Sequence, residues 1–118
     1  MFDKYWKNEA TRVAYQHRLY LLRWVVAGGS QQKLASLLKI PFKRWNNYSR
    51  GYPIPRETAF AIMETFPGMS VEWIWFGKEG NLSADYRKKI AGMQDRLKKR
   101  DDLLQQRKVI DQELAKVL

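Results

Sequence analysis

The polar residues between positions 42 and 50 have types and a spacing that suit hydrogen bonding to a nucleic acid. On a helix, Lys43, Asn46 and Asn47 would share one side. An asparagine amide can pair bidentately with adenine, and a lysine ammonium group can donate to guanine. Phe42 could touch a thymine methyl group or be buried between helices. The segment therefore predicts base-edge contacts by Phe42, Lys43, Asn46 and Asn47.

Two short helical patterns place these residues. The first begins at a capping residue, Ser30, and has Leu34 and Leu38 at helical spacing. Pro41 ends this pattern, because proline lacks a backbone N–H and disfavours the α conformation in the residue before it. The second pattern follows at once, with Trp45 on its inner side. Two short helices with a tight break predict a helix-turn-helix, whose second helix enters the major groove of DNA.

Other side chains around both helices carry groups that bind phosphate oxygens. Arginine and lysine supply positive charge, and glutamine and tyrosine supply further hydrogen-bond donors. The positive N-terminal end of the first helix would add to this attraction. We expect phosphate contacts from Gln31, Gln32, Lys33, Arg44, Arg50 and Tyr52.

Residues 30–50 are similar to the DNA-binding motif of the phage repressor and Cro-like family. Gln31 stands where that family often has a glutamine, and Ala35 stands where it has a small residue. Trp45 occupies the place of the aliphatic residue that anchors the second helix, although it is much larger. Arg50-Gly51 closes the motif, as an Arg-Gly or Asn-Gly pair often does in the family.

The resemblance extends roughly over residues 18–80, and it implies a five-helix, lambda-repressor-like bundle that binds DNA. Downstream of the motif it includes Val71-Glu72-Trp73-Ile74 and then Gly77. A further departure is Lys39, which stands where the family usually has a turn glycine.

The charge distribution favours a polyanionic partner. The chain has 118 residues and a formal net charge of +10, and no acidic residue lies between Glu9 and Glu57. A field of one sign opposes folding through self-repulsion, so binding to nucleic acid is its natural explanation. Solubility through net charge is the alternative, although mixed charges would serve it equally well. The basic residues in that interval are Arg12, Arg18, Arg23, Lys33, Lys39, Lys43, Arg44, Arg50 and Arg56.

Several classes of function find little support in the composition. The chain has no cysteine and a single histidine, His17, so we expect no disulfide, no metal site and no cofactor. The glutamates are spread along helix surfaces, and no pair of them predicts acid–base catalysis. No apolar segment predicts a signal peptide or a membrane span. The expected location is the cytoplasm, with association to the nucleoid when DNA is bound.

The helices around the motif are predicted from apolar spacing and capping residues. A helix from Thr11 to Ala27 should precede the motif, and helices from Pro55 to Phe66 and from Ser70 onwards should follow it. The N-terminal arm, residues 1–10, should cap the core. The expected core positions are Phe2, Tyr5, Trp6, Val13, Leu19, Leu22, Val25, Val26, Ala59, Ile62, Met63, Phe66, Val71, Ile74 and one of Trp73 or Trp75.

Residues 83–118 form a polar segment of high helix propensity with a narrow apolar stripe. Three interpretations are open: a dimerising helix or coiled coil, a helix folded back on its own domain, and a partly disordered basic tail that binds DNA phosphates. Dimerisation is the preferred interpretation. The stripe residues are Tyr86, Ile90, Met93, Leu97 and Leu104.

Together these patterns predict an all-α protein with a DNA-binding domain at residues 1–80 and a C-terminal helix at 81–118. The predicted function is a transcriptional regulator, a repressor, that binds double-stranded DNA as a homodimer at an inverted repeat. One alternative is an antitoxin or anti-activator that acts on a protein partner through the C-terminal helix. Another is a sequence-neutral nucleic-acid-binding protein.

Overall fold

The structure is a computed structural model that describes residues 7–118. These residues form six α-helices and no strands, which confirms the predicted all-α class. The predicted core contacts of Phe2, Tyr5 and Trp6 lie outside the described residues. The helices are α1 (Glu9–Ala27), α2 (Gln31–Leu37), α3 (Phe42–Ser49), α4 (Arg56–Thr65), α5 (Val71–Phe76) and α6 (Ala84–Val117).

Helix α1 is the central element, and it packs against α2, α3, α5 and α6. Its buried side is set by Tyr15, Leu19 and Leu22, which are spaced by four and three residues and so lie on one face. Val13 is exposed, contrary to the prediction, because it lies about 200° around the helix from Tyr15 at 3.6 residues per turn. The helix begins two residues before the predicted Thr11, because Asn8 caps it by accepting the Thr11 N–H at 3.3 Å.

Helix α5 packs against α1, and α4 packs against α5. Ala59, Ile62 and Phe66 are buried as predicted, whereas Met63 is exposed. The buried face of α4 is centred on Thr58 and Ile62, so Met63 falls beyond its edge. Of the two tryptophans in α5, it is Trp73 that is buried.

An arginine from α1 holds the C-terminal end of α5. The Arg18 guanidinium donates from Nε to the Ile74 carbonyl at 2.7 Å and from a terminal nitrogen to the Trp75 carbonyl at 2.9 Å. Carbonyls at a helix C-terminus have no partner within their own helix, and they attract positive charge. Arg18 therefore serves the fold, although it belongs to the run of basic residues noted in the sequence.

Helix α6 divides into a packed half and an exposed half. Ile90 and Leu97 are 3% and 8% exposed and belong to the core, with Tyr86 and Met93 packed beside them. From residue 98 to residue 118 every residue is exposed. The interpretation of a helix folded back on its own domain thus describes the first half. Leu104, the last residue of the predicted dimerisation stripe, is 50% exposed.

Candidate nucleic-acid interface

The outer side of α3 presents the residues predicted to contact bases. Trp45 and Tyr48 are buried and fix the inner side of this helix. Lys43 and Asn47 are exposed, and Asn46 is half-buried. Phe42 is 45% exposed, so the structure favours its accessible placement over burial between helices.

The turn between α2 and α3 is built around Lys39, which has a φ of 57°. This left-handed conformation allows the Lys39 N–H to bond to the Ser36 carbonyl and the Ile40 N–H to bond to the Ala35 carbonyl, both at 3.1 Å. These two bonds form a Schellman motif, which usually has glycine at the left-handed position. The Lys39 side chain is exposed between the two helices and adds a cation there. The sequence signalled this position only as a departure from the family's glycine.

The loop that follows α3 is anchored to α1 by one buried hydroxyl group. Tyr15 donates from its hydroxyl to the Tyr52 carbonyl at 2.9 Å, and the same oxygen accepts the Ile54 N–H at 3.2 Å. Burial raises the pKa of the Tyr15 hydroxyl above its usual value, so the group stays protonated and remains a donor. Gln16, the next residue, donates to the Ser49 carbonyl at 3.2 Å. Two side chains of α1 therefore hold the C-terminal end of α3 and the loop that follows it.

The residues predicted to bind phosphates divide into accessible and inward-facing ones. Five are exposed, and the Ser30 hydroxyl caps α2 by accepting the Lys33 N–H at 3.1 Å. Gln31 differs, because its side-chain oxygen is buried without a hydrogen-bond partner beside a cavity of about 200 Å³. Gln16 and Arg23 line the same cavity. The exposed residues are Gln32, Lys33, Arg44, Arg50 and Tyr52.

Within residues 7–118, no carboxylate forms an ion pair with the cations around α2 and α3. The ion pairs between residues of this range are Lys89 with Asp85 and Lys116 with Glu113, and both lie in α6. The exposed cations of α2, of the turn and of α3 therefore act together as a positive surface. We call this the α2–α3 surface, and its cations are Lys33, Lys39, Lys43, Arg44 and Arg50.

Comparisons with known proteins assign the chain to no family and to no activity. No protein-family model, curated protein or solved structure matches the chain. Within residues 7–118, no cluster of histidine and acidic side chains could hold a metal ion. Nor does any helix of that range have the length and apolar character needed to cross a membrane. The α2–α3 surface is thus the candidate site that the chain's own geometry offers.

Proposed function

We propose that the chain is a transcriptional regulator, a repressor, that binds double-stranded DNA in a sequence-specific manner. In this proposal α2 and α3 act as a helix-turn-helix of the phage repressor and Cro-like kind. The observation that carries it is the outer side of α3, where Lys43, Asn46 and Asn47 lie opposite the buried Trp45 and Tyr48. The uncharged amides of Asn46 and Asn47 can discriminate between bases, whereas cations alone would bind every DNA sequence alike.

Helix α3 would lie in the major groove with its N-terminal part deepest. At 1.5 Å per residue its eight residues span about 12 Å, which is close to the width of that groove. Asn46 and Asn47 would pair with adenine edges and Lys43 with guanine, while Phe42 would lie against a thymine methyl group. The hydrogen bonds of Tyr15 and Gln16 would keep the C-terminal end of α3 at a fixed height in the groove.

The phosphate contacts would flank the groove on both sides. Lys33 and Gln32 lie in the first turn of α2, and Arg44 and Arg50 lie at the two ends of α3. Tyr52 follows in the anchored loop. These contacts would set the register of the domain on the duplex and supply most of the affinity that salt weakens.

A single bundle offers a small DNA interface, so the proposed partner in binding is a second copy of the chain. Two copies related by a two-fold axis would bind an inverted repeat whose half-sites are about 34 Å apart. A protein partner is the second candidate, which would make the chain an antitoxin or anti-activator. The exposed apolar residues in the last part of α6 favour it, because they could pack against another protein.

Selection of bound duplexes from a random DNA library, at about physiological ionic strength, tests the proposal. We expect enrichment of an inverted repeat by the intact chain. The Asn47→Ala variant should lose discrimination at one base pair of each half-site. Lys88→Ala, which removes an exposed charge from α6, is the matched control and should select the same sequence.

Binding without any enriched sequence would contradict base readout and leave a sequence-neutral nucleic-acid-binding protein. Absence of binding to any duplex would contradict the proposal as a whole. Co-purification of a stoichiometric protein would then support the antitoxin or anti-activator alternative.

A further inference from the structure

The exposed half of α6 carries a second apolar stripe, distinct from the one packed against α1. Leu103, Ile110, Leu114 and Val117 are each more than half exposed. Together with Arg107 they follow one another at intervals of four, three, four and three residues. This alternation is the heptad spacing of a coiled-coil seam, and it extends over about 21 Å of helix. Arg107 is the one polar residue in the seam.

The position of Arg107 distinguishes the two possible orientations of a pair of such helices. In a parallel pair, residues of the same number face each other, so Arg107 would meet Arg107 of the second copy. In an antiparallel pair centred between residues 108 and 109, Arg107 lies level with Ile110 of the second copy. Asp111 of the second copy then flanks Arg107 at nearly the same height. The antiparallel arrangement replaces a repulsive pair of arginines by two attractive Arg107–Asp111 pairs.

Of the remaining seam residues, Leu103 and Leu114 also fit the antiparallel register, whereas Val117 lies level with Arg100 of the second copy and falls outside the apolar layers. Leu103 faces Leu114 of the second copy, and the symmetric layer repeats this apolar pair. The packed half of α6 ends at Leu97, about 12 residues from the centre of the pair. The two Leu97 residues would therefore lie about 35 Å apart along the coil.

We propose that residues 103–114 of α6 bind the same segment of a second copy as a short antiparallel coiled coil. The proposal deepens the homodimer of the proposed function, because it names the surface and orientation through which two DNA-binding bundles are joined. It also moves the dimer contact from the predicted stripe, whose Ile90 and Leu97 are buried within the chain, to the exposed half. A seam of less than two heptads buries little surface, so the dimer is weak and its population depends on protein concentration.

Sedimentation equilibrium of the intact chain without DNA, over a wide range of concentration, tests the association. We expect a reversible monomer–dimer equilibrium. Ile110→Asp should weaken it at least tenfold, because it places a charge in an apolar layer. Val109→Asp is the matched control: Val109 is 48% exposed, against 58% for Ile110, but lies off the seam, so dimerisation should persist. A chain that is monomeric throughout, or equal weakening by both variants, would overturn the proposal.

Disulfide trapping tests the orientation, because the chain has no cysteine of its own. Under oxidation, a mixture of Leu103→Cys and Leu114→Cys chains should form mixed disulfides, whereas neither variant alone should cross-link. A parallel pair would instead cross-link each variant with itself, which would overturn the antiparallel register. Arg107→Asp and Asp111→Arg should each weaken the dimer, and the double variant should restore it.

These measurements separate the dimer from DNA binding. If the dimer forms as described but no duplex is bound, the proposed function fails and the coiled coil stands. If a duplex is selected by a chain that remains monomeric, the coiled coil fails and the α2–α3 surface keeps its proposed role.

Discussion

At the residue scale, the Tyr15 hydroxyl shows how much one buried group can contribute to the placement of α3. Tyr15→Phe removes the partner of the Ile54 N–H, which is buried. An unsatisfied buried donor costs about 1–3 kcal/mol. We therefore expect the free energy of unfolding, measured by urea denaturation, to fall by about that amount.

Tyr20→Phe is the matched control, because it removes the same hydroxyl from the same helix at a half-buried position. Its effect should stay within about 0.5 kcal/mol. Equal losses in the two variants would show that the hydrogen bonds of Tyr15 to the loop contribute nothing to stability.

At Lys39, the order of stability of the glycine and alanine variants tests the geometry of the turn. At its left-handed φ of 57°, a Cβ atom is strained and glycine is not. Lys39→Gly should therefore be more stable than Lys39→Ala, by about 1 kcal/mol. At Lys88, inside α6, the order should be reversed by a similar amount, because glycine is the weaker helix former. Thermal unfolding of the four variants gives both differences, and the same order at both positions would contradict the turn geometry.

At the element scale, α6 carries two leucines one heptad apart whose surroundings differ. Leu97 is 8% exposed and packs in the core, whereas Leu104 is 50% exposed. Leu97→Ala should lower the free energy of unfolding by about 2–5 kcal/mol, through lost burial and a cavity. Leu104→Ala should change it by less than about 0.5 kcal/mol. Denaturant unfolding measures both, and similar losses would mean that the two halves of α6 are equally packed.

Helix α6 also shows which features can be predicted from the sequence and which cannot. Capping residues such as Ser30 and Ser70 were predictable because a cap is a local interaction between residues three positions apart. The apolar stripe containing Ile90 and Leu97 was predictable as a stripe, but its partner was not. An apolar stripe that packs on its own chain has the same residue spacing as one that packs on a second copy, so the sequence does not distinguish them.

Similar reasoning applies to the candidate site. The exposure of Lys43 and Asn47 follows from helical periodicity once Trp45 is assigned to the core. The inward placement of the Gln31 oxygen does not, because it depends on the neighbouring Gln16 and Arg23 from α1. Met63 was predicted wrongly for a related reason, since burial at the edge of a helix face depends on which neighbour covers it. The burial of such residues is decided by how two helices pack against each other, and the periodicity of one helix alone does not predict it.

At the scale of the whole molecule, an uncompensated positive surface predicts how binding responds to salt. If Lys33, Arg44 and Arg50 each neutralise one phosphate, as proposed, the slope of log K against log salt is about −2.7 for each bundle. Arg44→Ala should reduce the magnitude of that slope by about 0.9 and weaken binding to every sequence alike. Asn47→Ala should leave the slope unchanged and cost about 1–3 kcal/mol at the preferred site alone.

Fluorescence anisotropy titrations between about 50 and 200 mM salt would separate these two effects. Preferred and scrambled duplexes should be compared, and Lys88→Ala again serves as the control, since α6 lies outside the surface. A reduced slope in Lys88→Ala would mean that α6 also touches the phosphates, which is the third interpretation of the C-terminal segment. A reduced slope in Asn47→Ala would place that residue at the DNA backbone. Specific recognition would then have to come from Lys43 and Asn46, or from the shape of the duplex.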